Sequence, residues 1–146
     1  MKYETIPNLT LPKIGFGTWN IGGGSSADSS KDVASLTALR TALEVGYTHF
    51  DTAEVYANGH SEELLGRAVR ETRTARERVF ITSKVDPGHL SYEDVLRSCE
   101  DSLRRLNTEY LDLYLIHWPP RSISKLDDAF RALNKLMRDG KVKHLG

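Results

Sequence analysis

Residues 79–117 read VFITSKVDPGHLSYEDVLRSCEDSLRRLNTEYLDLYLIH. Three patterns follow one another in this stretch. Val79–Val85 is rich in β-branched residues and reads as a strand. Ser91–Leu106 sets Val95, Cys99, Leu103 and Leu106 on one face at helical spacing. Ser91 and Asp94 form an S-x-x-D capping signal at its start, and Asn107 suits a left-handed stop at its end. Leu111–Ile116, LDLYLI, is again a strand. Strand, helix and strand in this order imply two parallel strands joined by a right-handed crossover.

The same unit recurs on both sides. Towards the N-terminus, Ser61–Glu71 reads as a helix through Leu64, Leu65, Ala68 and Val69, and Tyr47–Asp51 as a strand. Lys31–Val45 is a helix with Val33, Leu36, Leu39 and Leu43 at helical spacing. Ser29 and Asp32 are placed to cap it, and Gly46 to end it. Pro12–Gly17 is a short apolar run closed by glycine, read as the first strand. Before it, Tyr3–Leu11 predicts a small hairpin with a Pro7-Asn8 turn. Gly22-Gly23-Gly24-Ser25-Ser26 reads as a mobile loop. Towards the C-terminus, Lys125–Asp139 is a helix capped by Ser124 and Asp127 and ended by Gly140, and Val142–Gly146 is a strand.

Repeated βα units fit either a doubly wound open sheet or a (β/α) barrel. The residues closing the first four predicted strands, Thr18, Asp51, Lys84 and His117, follow one another at a constant 33-residue step. That regularity favours the barrel. Eight such steps need about 260 residues. The expectation is therefore α/β: the N-terminal half of a (β/α)8 barrel, with four βα units, a fifth strand and a preceding hairpin. Residues 1–146 form one domain in this reading, truncated relative to a complete barrel. Open strand edges and a wet inner sheet face then predict association as a homodimer or with a complementing half-barrel.

Composition narrows the class of function. Among 146 residues, 20 Lys and Arg balance 20 Asp and Glu, which argues against a nucleic-acid face or a membrane-surface protein. No apolar run approaches the length of a membrane span, and no secretory signal is visible. Cys99 stands alone, so neither an internal disulfide nor a cysteine-based zinc site is available, and it reads as a small buried hydrophobe. A cytoplasmic protein is expected. His60, His89 and His144 have no ligand spacing, so no metal is expected. Glu62-Glu63 and Asp127-Asp128 lie in first helical turns, where the helix dipole explains them.

In a (β/α) barrel the chemistry sits at the C-terminal ends of the strands. Asp51, Lys84 and His117 occupy such ends, and Tyr56 lies in the loop after the second strand. A phenol gives up its proton reluctantly at neutral pH. A neighbouring ammonium stabilises the phenolate, and a carboxylate keeps that ammonium charged and fixed. A tyrosine so placed can give a proton to a carbonyl oxygen while a hydride arrives at carbon, and a histidine can orient the same oxygen. Each residue also has a plainer reading: Asp51 as a loop cap, Lys84 as a solvated rim residue, Tyr56 as loop packing, His117 as a core histidine.

The same segments carry a resemblance. Gly15-Phe16-Gly17-Thr18-Trp19, Asp51-Thr52-Ala53-Glu54-Val55-Tyr56-Ala57-Asn58-Gly59, Thr82-Ser83-Lys84 and Leu111–Pro119 (LDLYLIHWP) resemble the aldo-keto reductases. The resemblance implies an NADPH-dependent reductase of aldehydes and ketones on a (β/α)8 barrel. It makes Tyr56 the proton donor, with Lys84 easing its ionisation, Asp51 pairing with Lys84, and His117 orienting the carbonyl. Gly17, Thr18, Trp19 and Asp51 would flank the nicotinamide, and Trp19, Tyr56, His117 and Trp118 would line the substrate site, the tryptophans as an apolar wall. The family holds its dinucleotide mainly with residues after the fifth strand, whereas this sequence runs to His144-Leu145-Gly146. The alternative is a catalytically inactive half-barrel, or a module that binds a nucleotide or a partner without turnover.

Overall fold

The computed structural model of the chain describes residues 2–7, 9–120 and 126–146. Strands β1 (Tyr3–Ile6) and β2 (Leu9–Pro12) pair antiparallel, with Tyr3 opposite Pro12 and Ile6 opposite Leu9. This is the expected hairpin, although Asn8 of its turn lies outside the described residues. Pro12 closes the hairpin rather than opening the next strand, and the amide of Lys13 donates to the carbonyl of Lys2 at 2.9 Å. The first strand of the main sheet, β3 (Phe16–Gly17), is correspondingly short.

Beyond it, helices and strands alternate as α1 (Asp32–Glu44), β4 (His49–Asp51), α2 (His60–Glu71), β5 (Phe80–Val85), α3 (Tyr92–Leu106), β6 (Leu111–Ile116), α4 (Leu126–Arg138) and β7 (Val142–Leu145). The five strands β3 to β7 are parallel, and their spatial order is their order in the chain. Each helix packs against the next, α1 on α2, α2 on α3 and α3 on α4, so all four cover one face. A doubly wound sheet reverses its strand order at a switch point. This one does not; its four βα units and fifth strand follow the sequential order of a barrel.

The constant step between strand-end residues has a structural cause. Asp51 is level with Thr82, two residues short of Lys84. Lys84 is level with Leu115, again two short of His117. From Asp51 to His117 the rim residues therefore climb two positions per strand, the stagger of a tilted, curving sheet, whereas Asp51 is level with Gly17 and one position short of Thr18.

One face of the sheet meets the helices. Phe50, Ile81, Val85 and Tyr114 pack there with Leu39, Leu65, Val95, Leu133 and Leu136 in a single apolar cluster. Each such side chain contributes roughly 1.5–3 kcal/mol on burial. Cys99 is buried in the same cluster, and that burial pushes its thiol up to about 12. At the opposite end of the strands from the predicted site, Asp112 accepts from Arg76 at 2.8 Å, from the Ile81 amide at 3.0 Å and from Lys143 at 3.3 Å, joining β5, β6 and β7.

The helix ends test the capping expectations. Ser91 caps α3, its hydroxyl accepting from the Asp94 amide at 3.3 Å, and Asn107 ends that helix at φ 53°. Gly46 and Gly140 follow α1 and α4 with φ of 95° and 76°. The expected Ser29 cap of α1 is not made. A short 3-10 turn, Ser29–Lys31, precedes the helix, and Asp28 caps that turn by accepting from the Ser30 amide at 3.1 Å. Asp28 Oδ1 also accepts from the Ser30 hydroxyl at 2.5 Å, so its carboxylate closes the chain one turn before α1. Ser124, the expected cap of α4, lies outside the described residues. Among the described residues, no helix is long and apolar enough to cross a membrane.

Candidate active site

Lys84 stands on β5 with its side chain on the sheet face away from the helices, while Ser83 and Val85 are buried on either side of it. Its Nζ donates to Asp51 Oδ1 at 2.6 Å, to the carbonyl of Thr52 at 2.8 Å and to Tyr56 Oη at 3.3 Å. Asp51 ends β4, in register with Gly17 of β3 and Thr82 of β5. The three predicted residues from separate stretches of sequence thus meet at one cation.

Tyr56 reaches Lys84 through an unusual turn. The segment Tyr56–Gly59 is a short 3-10 turn in which Ala57 and Asn58 take left-handed backbone angles, φ 49° and 54°, followed by Gly59 at φ 88°. Non-glycine residues rarely adopt this conformation. It is held by hydrogen bonds from the Tyr56 amide to the Ala53 carbonyl at 3.1 Å and from the Ala57 amide to the Gly24 carbonyl at 2.8 Å. The second bond ties the glycine-rich loop to the turn. That loop is folded rather than loose: Asp28 N–H donates to Gly22 O at 2.7 Å, and a Cβ on Gly23 would lie 2.1 Å from the carbonyl oxygen of Ser26. Gly23 answers to this close backbone approach and Gly22 to the side chains of His60 and Leu64, while a Cβ on Gly24 would meet nothing within 4 Å.

Aromatic rings surround the phenol. The Trp19 ring meets Tyr56 edge-on at 4.9 Å, and the His117 ring meets it from another side at 5.5 Å. Trp118 stacks on His117 at 5.9 Å. Both tryptophans remain largely exposed, leaving an apolar rim around a nearly buried phenol. Burial and, second, the charge of Lys84 hold His117 below the ordinary histidine range. Its ring is therefore neutral at neutral pH, with one N–H to donate. Thr18 is buried, and its hydroxyl accepts from Ser61 at 2.8 Å, which fastens the loop after β3 to α2. A Cβ on Gly17 would meet no atom within 4 Å, so open space lies over the end of β3 beside Asp51.

A second charged pair lies behind this group. Glu62 lies in the first turn of α2, as its sequence position suggested, but is fully buried there, whereas its neighbour Glu63 is exposed. Glu62 Oε1 accepts from Ser83 at 2.6 Å and Oε2 from Arg105 Nε at 2.7 Å. Burial pushes the Glu62 carboxyl up, against the opposing charge of Arg105. Among the described residues, no three His, Cys, Asp or Glu side chains are arranged to hold a metal ion.

Residues 13–146 match the Aldo/keto reductase family. The chain belongs to that family. Among curated aldo-keto reductase relatives, it is 40% identical to Methylglyoxal reductase YeaE of Escherichia coli over 95% of its own length and 46% of that protein. It is 41% identical to the Glyoxal reductase of Bacillus subtilis, covering 94% of the chain and 45% of that protein. The chain thus spans about half the length of the curated relatives it matches. Among solved structures, the thermostable aldo-keto reductase Tm1743, in complex with the inhibitor epalrestat, aligns over the whole chain and 53% of its own, with TM-score 0.94 and 44% identity. An aldo-keto reductase from Klebsiella pneumoniae in complex with NADPH aligns over the whole chain and 49% of its own, with TM-score 0.83 and 39% identity. The five-stranded sheet is accordingly part of the (β/α)8 barrel of aldo-keto reductases.

Proposed function

We propose that this chain carries the proton-relay portion of an NADPH-dependent carbonyl reductase, with Tyr56 as proton donor. The observation that carries this reading is the shared ammonium: Lys84 Nζ lies 2.6 Å from Asp51 Oδ1 and 3.3 Å from Tyr56 Oη. Aldehydes and ketones are the substrate class, and small dicarbonyls such as those named for the relatives are the first to try.

The residues at the rim suit the nicotinamide end of the cofactor. Gly17 leaves open space beside the Asp51 carboxylate, and the phenol, imidazole and indoles suit a neutral carbonyl beside a flat ring. Gly17, Trp19 and Asp51 would hold that end; Thr18 would support it from behind through Ser61. The bound cofactor supplies a hydride to the carbonyl carbon. As negative charge grows on the carbonyl oxygen, Tyr56 Oη gives it a proton and the alcohol forms. The phenolate left behind is stabilised by Lys84, which Asp51 and the Thr52 carbonyl keep charged and aimed. Solvent returns the proton to Tyr56. Neutral His117 donates its N–H to the same carbonyl oxygen and fixes its direction, and Trp19 and Trp118 exclude water from one side.

Oxidation of NADPH in the presence of methylglyoxal, followed by loss of the reduced nicotinamide absorbance, tests the reading. Tyr56→Phe keeps the ring and its packing but removes the proton; turnover is expected to fall about 10² to 10⁴-fold. Unchanged turnover in that variant overturns Tyr56 as the donor. A second reading follows from the share of the relatives that the chain spans: binding of the nucleotide or a partner without turnover. Saturable NADPH binding with no aldehyde-dependent oxidation would favour it.

A further inference from the structure

Nothing in the relay chemistry requires the buried pair of Glu62 and Arg105, yet that pair touches both of its arms. Ser83, whose hydroxyl donates to Glu62 at 2.6 Å, is the residue immediately before Lys84. Neighbouring residues on a strand face opposite ways. A grip on Ser83 from the helix side therefore sets how far β5 presents Lys84 on the other side. Arg105, reaching Glu62 from α3, is braced against the turn that follows Tyr56: a Cβ on Gly59 would lie 2.5 Å from Arg105 Nε. Gly59 closes the left-handed run that starts at Ala57. Arg105 Nη2 also donates to Ser102 at 3.3 Å, fixing the guanidinium on its own helix.

Burying two opposite charges is an inefficient way to stabilise a fold, since apolar residues of similar size commonly do as well. A directional hydrogen bond to the Ser83 hydroxyl, joined to a guanidinium packed closely on Gly59, is something an apolar pair does not provide. We propose that Glu62 and Arg105 are positioning residues for the Tyr56–Lys84 contact: Glu62 fixes β5 at Ser83, and Arg105 braces the left-handed turn at Gly59. The kinetic side of this inference rests on the carbonyl-reduction reading; the structural side does not.

Three variants test it in the full chain. Glu62→Gln keeps most of the side-chain shape and removes the charge. Gly59→Ala leaves both charges and pushes a methyl group into Arg105. The double variant Glu62→Leu with Arg105→Leu replaces the pair by apolar side chains, and it keeps the test alive if Glu62→Gln does not fold. Two readouts are needed. One is the ring signal of Tyr56 in protein carrying 13C-labelled tyrosine, assigned by its absence in Tyr56→Phe. The other is kcat, KM and the solvent deuterium isotope effect on NADPH oxidation.

Displacement of the phenol is expected to shift or broaden the Tyr56 signal while that of Tyr110 stays in place. It is expected to lower kcat about 100-fold with KM little changed, and to raise the solvent isotope effect as proton donation becomes limiting. A mere loss of folded protein lowers kcat without raising that isotope effect. A folded double variant with unchanged Tyr56 signal, kcat and isotope effect overturns the proposal. If the parent chain reduces no aldehyde but the Tyr56 signal moves in the variants, the positioning role stands and the functional reading fails.

Discussion

All three N–H donors of Lys84 are engaged, by Asp51, by the Thr52 carbonyl and by Tyr56. None is left for a substrate, so Lys84 acts only through the phenol. Lys84→Met keeps the length of the side chain and removes the ammonium. Turnover is expected to fall about 10² to 10⁴-fold, as when the donor itself is removed. The Thr52 carbonyl loses a partner in a buried place, which costs about 1–3 kcal/mol; urea denaturation measures that loss. A Lys84→Met chain with the parent's turnover would remove Lys84 from the relay. Asp51, Lys84 and His117 were legible in the sequence because ionisable side chains at regular strand ends are chemically conspicuous, and Tyr56, in the loop after β4, because its block from Asp51 to Gly59 resembles the family's. Thr52 was not, because it contributes a carbonyl that every residue has. Glu62 looked like Glu63, an acidic residue in a first turn. The sign that separates them is helical spacing: Glu62 shares a face with Leu65, Gly66 and Val69, and a carboxylate on an apolar stripe needs a buried partner.

Helices α2 and α3 meet where Gly66 faces the end of α3. A Cβ on Gly66 would lie 2.3 Å from the Leu106 carbonyl oxygen and 2.6 Å from its carbon. Both are backbone atoms, so no side chain can swing aside. On an open helix surface, Gly→Ala gains about 1 kcal/mol from helix propensity. Here the two helices must separate, and Gly66→Ala is expected to cost about 1–3 kcal/mol net, as overpacking does. A lowered urea midpoint is the expected result; a raised one shows that the helices adjust freely. The alternation of elements was readable because the apolar period changes visibly between 2 and 3.6 along the chain. Close approaches were not, since a glycine inside a helical pattern has the same letter whether it faces solvent or a backbone. The turn after Tyr56 was hidden for a related reason. Ala57 has no preference for left-handed angles, and the bond from its amide to Gly24, a residue distant in sequence, helps to hold it there.

Three histidines tie distant parts of the molecule together, and their ionisation acts in opposite directions. His60 bridges α1 and α2: burial disfavours its charge, but hydrogen bonds with Glu63 at 2.9 Å and Asp32 at 2.8 Å outweigh burial and raise it above 6.5. Burial lowers His49, which joins β4 to Thr82 of β5 at 3.0 Å, and burial with the charge of Lys84 lowers His117. In the unfolded chain all three titrate near 6.5. For His60 the folded state holds its proton longer, so its contribution is complete below pH 6.5 and is lost as pH rises through the raised value. For His49 and His117 the unfolded state takes up protons first, so their contribution is complete above pH 6.5 and is lost as pH falls through the lowered values. The two windows adjoin without overlapping. Between about pH 5 and 8 the histidine part of the stability is therefore expected to peak near the ordinary histidine value. Urea midpoints measured across that range check it. His60→Gln should flatten the alkaline side alone and His49→Gln should weaken the acid side alone; a flattening on the wrong side for either variant would show that the bridge it removes is not the one that titrates.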